Sequence, residues 1–322
     1  MKVRHMRRGA AATLVAALAL AVAACGSGGG NTSTSASTSG STSGAPAAKP
    51  GQGKPAVTLG AKNFTEQFVL GQLYKQALEA KGFTVKLKNN IGSTEIIDKG
   101  LTSGKIDIYP EFVGVGLTVV AHDDKSYSSA AAAYDAFKKF QEGRGFTLLD
   151  QTPFTDVDAI AVKPPFAKQH NLSSVGDLKG AGSFKIGAPP EFRTRFTGLV
   201  GMKKVYGITN ASLVPLNIGL QYKALDDGKV QAADVFTTDG QLQGGKYVVL
   251  KDPKNIFGFE QVTPVVNQKT LSKEGPAFAQ TINAVSAKLT TKAMQQMNGA
   301  IDLDKQSPAS VAKQFLQANG LA

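Results

Sequence analysis

The chain is poor in the residues that carry most catalytic chemistry. It has one cysteine, three histidines and no tryptophan in 322 residues. A single Cys, Cys25, leaves the rest of the chain without a disulfide or a cysteine nucleophile. His5 lies in the basic leader, and His122 and His170 stand in polar contexts without a matching second ligand, so no metal site is expected. No GxSxG, Walker A or GxGxxG pattern occurs, and no cofactor is expected. Without Trp, a long sugar-stacking platform is disfavoured. Hydrophobic residues make up 42%, too scattered for a polytopic membrane protein.

Charge is present but misleading. Lys and Arg number 36 against 24 Asp and Glu, a formal +12. Lys2, Arg4, Arg7 and Arg8 belong to the leader, and Lys49 and Lys54 to the segment after it, which leaves +6 for the body. The remaining cations are dispersed, so a solvated basic surface is expected and no nucleic acid partner.

Residues 1–24 read as a signal peptide: a basic start to Arg8, an apolar run Ala10 to Ala21, then Val22-Ala23-Ala24 before Cys25. The apolar run is too short for a comfortable membrane span. A small-residue pair directly before Cys resembles the lipobox of bacterial lipoproteins, which implies lipidation of Cys25 and cleavage before it. Residues 25–55 would then be the lipidated Cys and a disordered Gly/Ser/Thr/Ala/Pro tether, with no large apolar side chain to offset ordering. Thirty such residues reach roughly 30 Å.

The body begins near Ala56. Val57-Thr58-Leu59 reads as a strand. Asn63 with Glu66 reads as a capping box for a helix whose stripe is Val69, Leu70, Leu73, Tyr74 and Ala77. Phe83 to Leu87 alternates as a second strand, giving a parallel α/β unit. An internal echo follows. Leu59-Gly60-Ala61 then Phe64 recurs as Ile186-Gly187-Ala188 then Phe192. Leu101-x-x-Gly104-Lys105-Ile106 ending at Phe112 recurs as Leu225-x-x-Gly228-Lys229-Val230 ending at Phe236. Two marks in the same order predict two lobes of one plan, each with a Phe at the carboxyl end of a strand, where ligands of open α/β sheets bind.

Gly60 to Gln67, Ile106 to Gly114, Pro190 to Arg195 and Tyr222 to Gly240, taken together and in this order, resemble the osmoprotectant-binding (glycine betaine/choline/carnitine) proteins of ABC importers. Gly60-Ala61-Lys62-Asn63-Phe64-Thr65-Glu66-Gln67 is similar to the family's SKNFTEQ opening. Ile106 to Gly114 is similar to IDLYPEYTG, Pro190 to Arg195 to PEFxxR, and Tyr222 to Gly240 to YxAL…TTDG. Ser307-Pro308 and a closing helix also fit. The resemblance covers about residues 57–320. It implies a type II periplasmic-binding fold, two α/β lobes joined by two crossover strands and closing on a solute. Lobe 1 would be 56–156 plus 263–322, and lobe 2 would be 157–262. The implied protein is no enzyme but an extracytoplasmic lipoprotein, anchored to the cell membrane, expected as a monomer. It would capture a quaternary-amine solute for a permease and its ATPase. The alternative is a surface lipoprotein of the same fold that senses or binds a different polar, cationic or bulkier molecule.

The implied ligand-binding residues are Lys62, Asn63, Phe112, Asp156, Asp158, Glu191, Arg195, Phe236, Thr237 and Glu260. The family's tyrosine cage holds a cation against ring faces. Phe112 and Phe236 keep the rings without hydroxyls, and core burial is their alternative reading. Asp158 and Glu260 stand where Tyr is usual, so the cage becomes half acidic. Either they receive a ligand with extra positive charge or several hydroxyls, or they pair with Lys or Arg, or the register slips. Arg195 is read as a ligand clamp or as the ion-pair partner of Glu191.

Overall fold

Among the described residues there are ten strands: β1 Val57–Gly60, β2 Val85–Lys88, β3 Ile108–Phe112, β4 Phe146–Leu148, β5 Asp158–Val162, β6 Phe184–Ala188, β7 Ala211–Pro215, β8 Ala232–Phe236, β9 Val248–Leu250 and β10 Val262–Asn267. They form two five-stranded sheets of the same plan, β2-β1-β3-β10-β4 and β7-β6-β8-β5-β9. In the first, β2, β1 and β3 run parallel, and β10 lies antiparallel between β3 and β4. The second repeats this with β7, β6 and β8 parallel and β5 antiparallel between β8 and β9. The computed structural model describes residues 48–125 and 127–322. Cys25, the leader and the tether through residue 47 lie outside them. Residues 48–55, expected as the end of the tether, instead pack on the body: Gly51 is buried against Phe83 and its N–H donates to the Lys81 carbonyl at 3.0 Å.

The sequence echo marks equivalent places. The helices before β3 and β8 each end where Gly104 and Gly228 adopt left-handed φ of 71° and 69°, a conformation glycine enters without a Cβ clash. Ile106 and Val230 then lead into strands that are almost wholly buried, as a sheet centre covered on both faces requires.

Helix α1, Thr65–Ala80, buries the predicted stripe Val69, Leu70, Leu73, Tyr74 and Ala77. The last three helices, Pro276–Ser286, Thr291–Asp302 and Pro308–Ala318, supply the other side of that core through Phe278, Ile282, Met294 and Val311. Ser307 caps the last helix by accepting from the Ser310 N–H at 3.2 Å. The predicted capping box at Asn63 and Glu66 does not form. The helix starts at Thr65 behind Phe64 without a side-chain cap, and the Glu66 carboxylate is turned instead to Thr238 and Asn298.

The chain crosses between the sheets twice, and the two crossings run side by side. Thr155 pairs antiparallel with Gln261, and the Asp156 N–H donates to the Glu260 carbonyl at 3.0 Å. Each sheet keeps its own apolar cores.

Candidate functional site

The carboxyl ends of β1, β3, β6 and β8 deliver side chains to one cleft, as open α/β topology directs. From the β1 end come Lys62, Asn63 and Phe64; from β3, Phe112; from β6, Glu191, Phe192 and Arg195; from β8, Asp234 and Phe236. The crossing segments add Asp156, Asp158 and Glu260. The cleft holds about 620 Å³, its open mouth included.

Nine of the ten predicted binding residues line this cleft. Thr237 does not. Its hydroxyl accepts from the Val157 N–H at 2.9 Å and lies 3.4 Å from the Thr155 carbonyl, so it ties β8 to the first crossing. Sequence reasoning missed Phe64, Phe192 and Asp234. The two Phe were marked by the echo, and Asp234 stands as a lone acid in the apolar run Ala232-Ala233-Asp234-Val235-Phe236.

Three rings form one row. Phe64 lies between Phe112, 5.9 Å away at 27°, and Phe236, 6.0 Å away at 7°. One face is already taken: the Lys62 ammonium sits 4.8 Å over the Phe112 ring and is bonded to Glu111. Both members of that ion pair are almost fully buried. Burial lowers the Lys62 pKa despite the attraction of Glu111. Arg195 pairs across the cleft mouth with Glu95 at 3.1 Å, not with Glu191. Burial opposes its charge, but Glu95 and then Glu191 outweigh that and raise its pKa.

Beside the rings runs an acidic wall, in which Asp158 is the cross-strand partner of Phe236. Asp158, Asp234 and Glu260 make no ion pair among the described residues. Glu260 is buried, accepts from the Val115 N–H at 3.2 Å through Oε2, and leaves Oε1 without a partner. Asp234 is 2% exposed and its Oδ1 is likewise unpartnered. Burial pushes Asp158 up to about 6 although Arg195 pulls it down. Burial and then the nearby Asp158 hold Asp234 and Glu260 well above the usual carboxylate range. Five acids and two cations face the space, and each cation is already bonded to a further acid. Such a wall is costly unless the acids are protonated or a cation joins them. No group of three or more His, Cys, Asp or Glu among the described residues is arranged to hold a metal ion, and no described helix is long and apolar enough to cross a membrane.

Comparison with known proteins gives consistent results. Residues 55–318 match the family model for the substrate binding domain of the ABC-type glycine betaine transport system. The Pseudomonas aeruginosa "Glycine-betaine-binding protein" is 34% identical over 82% of this chain and 88% of its own. The Helicobacter pylori "Ergothioneine transport permease/ergothioneine binding protein EgtU" is 30% identical over 83% of this chain, which spans 48% of that longer protein. A crystal structure titled as a glycine betaine/carnitine/choline ABC transporter superposes with a TM-score of 0.67 at 27% identity, covering 82% of this chain and 99% of the other. The fold is thus the type II periplasmic-binding fold, and these relatives bind solutes rather than turn them over. The chain belongs to the family of substrate-binding domains of ABC-type glycine betaine transport systems.

Proposed function

We propose that this protein is the membrane-anchored receptor of an importer: Cys25 is lipidated, the segment after it through residue 47 is its leash, and the body, onto which residues 48–55 are already packed, captures a solute between its lobes and hands it to the permease. The lobes are 56–156 with 263–322, and 157–262. The ligand is of the quaternary-amine, osmoprotectant class. The observation that carries this is the stacked pair Phe64 and Phe236 beside an acidic wall in a cleft between two sheets, with the third ring, Phe112, covered by Lys62. Ring faces and carboxylates both attract a cation. Lys62, Asn63, Arg195 and Glu191 serve the polar end of the ligand.

The same wall favours a second reading of the ligand. Acceptor oxygens at Asp158, Asp234 and Glu260 reward N–H and O–H donors, which glycine betaine lacks. A cationic or bulkier, donor-bearing solute fits the wall better, whether for import or for sensing. Calorimetric titration with glycine betaine, choline, carnitine and ergothioneine decides between them. Choline or ergothioneine binding at least about tenfold tighter than glycine betaine supports the donor-bearing class, and the reverse order supports the simple betaine. Binding of none of the four ends the osmoprotectant reading. For the anchor, Cys25→Ser is expected to move the protein from the membrane fraction to the soluble one, and unchanged retention rejects lipidation.

A further inference from the structure

Behind the Phe64–Phe236 pair lies a second chamber of about 560 Å³, open edge included. Its wall contains a buried cluster drawn from both sheets. The Thr238 hydroxyl lies 2.6 Å from Glu66 Oε2 and 2.7 Å from Asp156 Oδ1. Its backbone N–H also donates to Asp156 Oδ1 at 3.3 Å. Asn298 Nδ2 donates to Glu66 Oε2 and to the Thr238 carbonyl, both at 3.1 Å. None of the four residues is more than 5% exposed.

A threonine hydroxyl has one hydrogen. It can donate to one carboxylate only. The second carboxyl oxygen at hydrogen-bond distance must bring its own proton and donate to the hydroxyl oxygen. With both acids ionised, one oxygen–oxygen contact would have no hydrogen in it, in a setting with little water to screen the repulsion. The arrangement as it stands therefore holds one proton that two solvated acids would have lost at neutral pH.

The cluster also spans the moving parts. Glu66 is on α1, and Asn298 is on the helix Thr291–Asp302, both packed on the first sheet. Thr238 follows β8 of the second sheet, and Asp156 lies in the first crossing. Resting on the two-lobed closure proposed above, we infer that closing the lobes takes up one proton, held among Glu66, Asp156 and the Thr238 hydroxyl, so that rising pH favours the open form.

The surroundings reinforce this direction. Asp239 after β8 faces both acids, and Tyr74 on α1 and Tyr222 on the helix before β8 are the neighbouring hydroxyls. Asp302 stands at the chamber's edge, bonded to Thr65. On the cleft side of Asp156 the cations are Lys62 and Arg195, already paired with Glu111 and Glu95. No Lys or Arg among the described residues bonds to Glu66, Asp156 or Asp239. Burial lifts Glu66 to about 7 and, with Glu66 beside it, lifts Asp156 well above the carboxylate range. Solvated in the open form, the same groups lose their protons near 4. Closure is therefore favoured below that range and loses up to about tenfold per pH unit between roughly pH 4.5 and 7.

The test uses the full chain with Cys25→Ser and with dyes at Lys99→Cys and Arg193→Cys, two exposed positions flanking the mouth bridged by Glu95 and Arg195. In the ligand-free protein, energy transfer between the dyes is expected to fall as pH rises from 5 to 8. Glu66→Gln, which keeps a donor and an acceptor but no charge, is expected to flatten that curve. A flat curve in the parent while glycine betaine still raises transfer overturns the proton inference but leaves lobe closure standing. No change with either pH or any of the four solutes overturns both. Should Glu66→Gln fail to fold, the parent's side-chain carboxyl carbon resonances decide. A midpoint well above 5 at either Glu66 or Asp156 supports the shared proton, and ordinary midpoints near 4 at both remove it.

Discussion

Lys62 shows how a single side chain links fold to site. It sits after β1, covers the ring of Phe112 and neutralises Glu111, which is 0% exposed. An ion pair this deep offers little net stability over an apolar pair, but breaking it strands a charge. Lys62→Met is therefore expected to cost about 3–5 kcal/mol in urea denaturation. The double variant Lys62→Met with Glu111→Leu should recover most of that loss. If the single variant is as stable as the parent, the pair is not the anchor its burial indicates. The same substitution uncovers the Phe112 face, so a quaternary cation gains a ring it cannot reach while the ammonium lies over it.

Among the elements, the contact that brings the second sheet against the C-terminal helices depends on two glycines of unequal tolerance. A Cβ placed on Gly240, in the turn Gly240–Leu242 after β8, would run into the backbone of Gly299 on the helix Thr291–Asp302. A Cβ on Gly299 would meet Gly240 Cα only at 3.6 Å, an ordinary contact. Gly240→Ala is thus expected to destabilise by about 1–3 kcal/mol and lower Tm by about 2–10 °C. Gly299→Ala should be neutral or stabilising by up to about 1 kcal/mol, because alanine is the better helix former. Equal losses in a thermal melt would refute the asymmetry. Contacts of this kind explain what the sequence hides. Strands β1 and β2, the strand ends at Phe112 and Phe236, the α1 stripe and the glycine ends of the helices before β3 and β8 follow from local periodicity and backbone freedom, so they were legible; the short strands β4, β7 and β9 were not. The echo of Leu101 to Phe112 in Leu225 to Phe236 even marked the repeated sheet plan. But Glu66 read locally as a cap and is used at long range by Thr238, 172 residues away. Arg195 read as a ligand clamp or as the partner of the nearby Glu191, and it bonds Glu95, 100 residues away. Nine cleft residues were found because family motifs carry strand ends. Thr237 lies outside the cleft lining because the same motif also carries a residue whose hydroxyl ties β8 to the first crossing.

For the molecule as a whole, the acids set an unusual pH dependence. Burial raises Glu66 to about 7 and Asp158 and Asp239 to about 6, with Asp156, Asp234 and Glu260 higher than usual as well. The unfolded chain releases these protons near pH 4–4.5. Between there and about 7 the native state binds more protons than the unfolded state, so stability falls as pH rises, by on the order of 1.4 kcal/mol per pH unit for each extra proton. Melting temperature is therefore expected to be higher at pH 5 than at pH 7.5, and a maximum above pH 7 would contradict the burial of these carboxyls. A cationic ligand acts on the same groups from the cleft side. Its charge favours ionised Asp158, Asp234 and Glu260, so binding expels protons that the wall holds when empty. Low pH then competes with the ligand. The Tm rise produced by saturating choline should be larger at pH 7.5 than at pH 5, and titrations in buffers of different ionisation enthalpy should show proton release. A zwitterion that places its carboxylate against this wall would show the opposite sign, with proton uptake and a larger rise at pH 5.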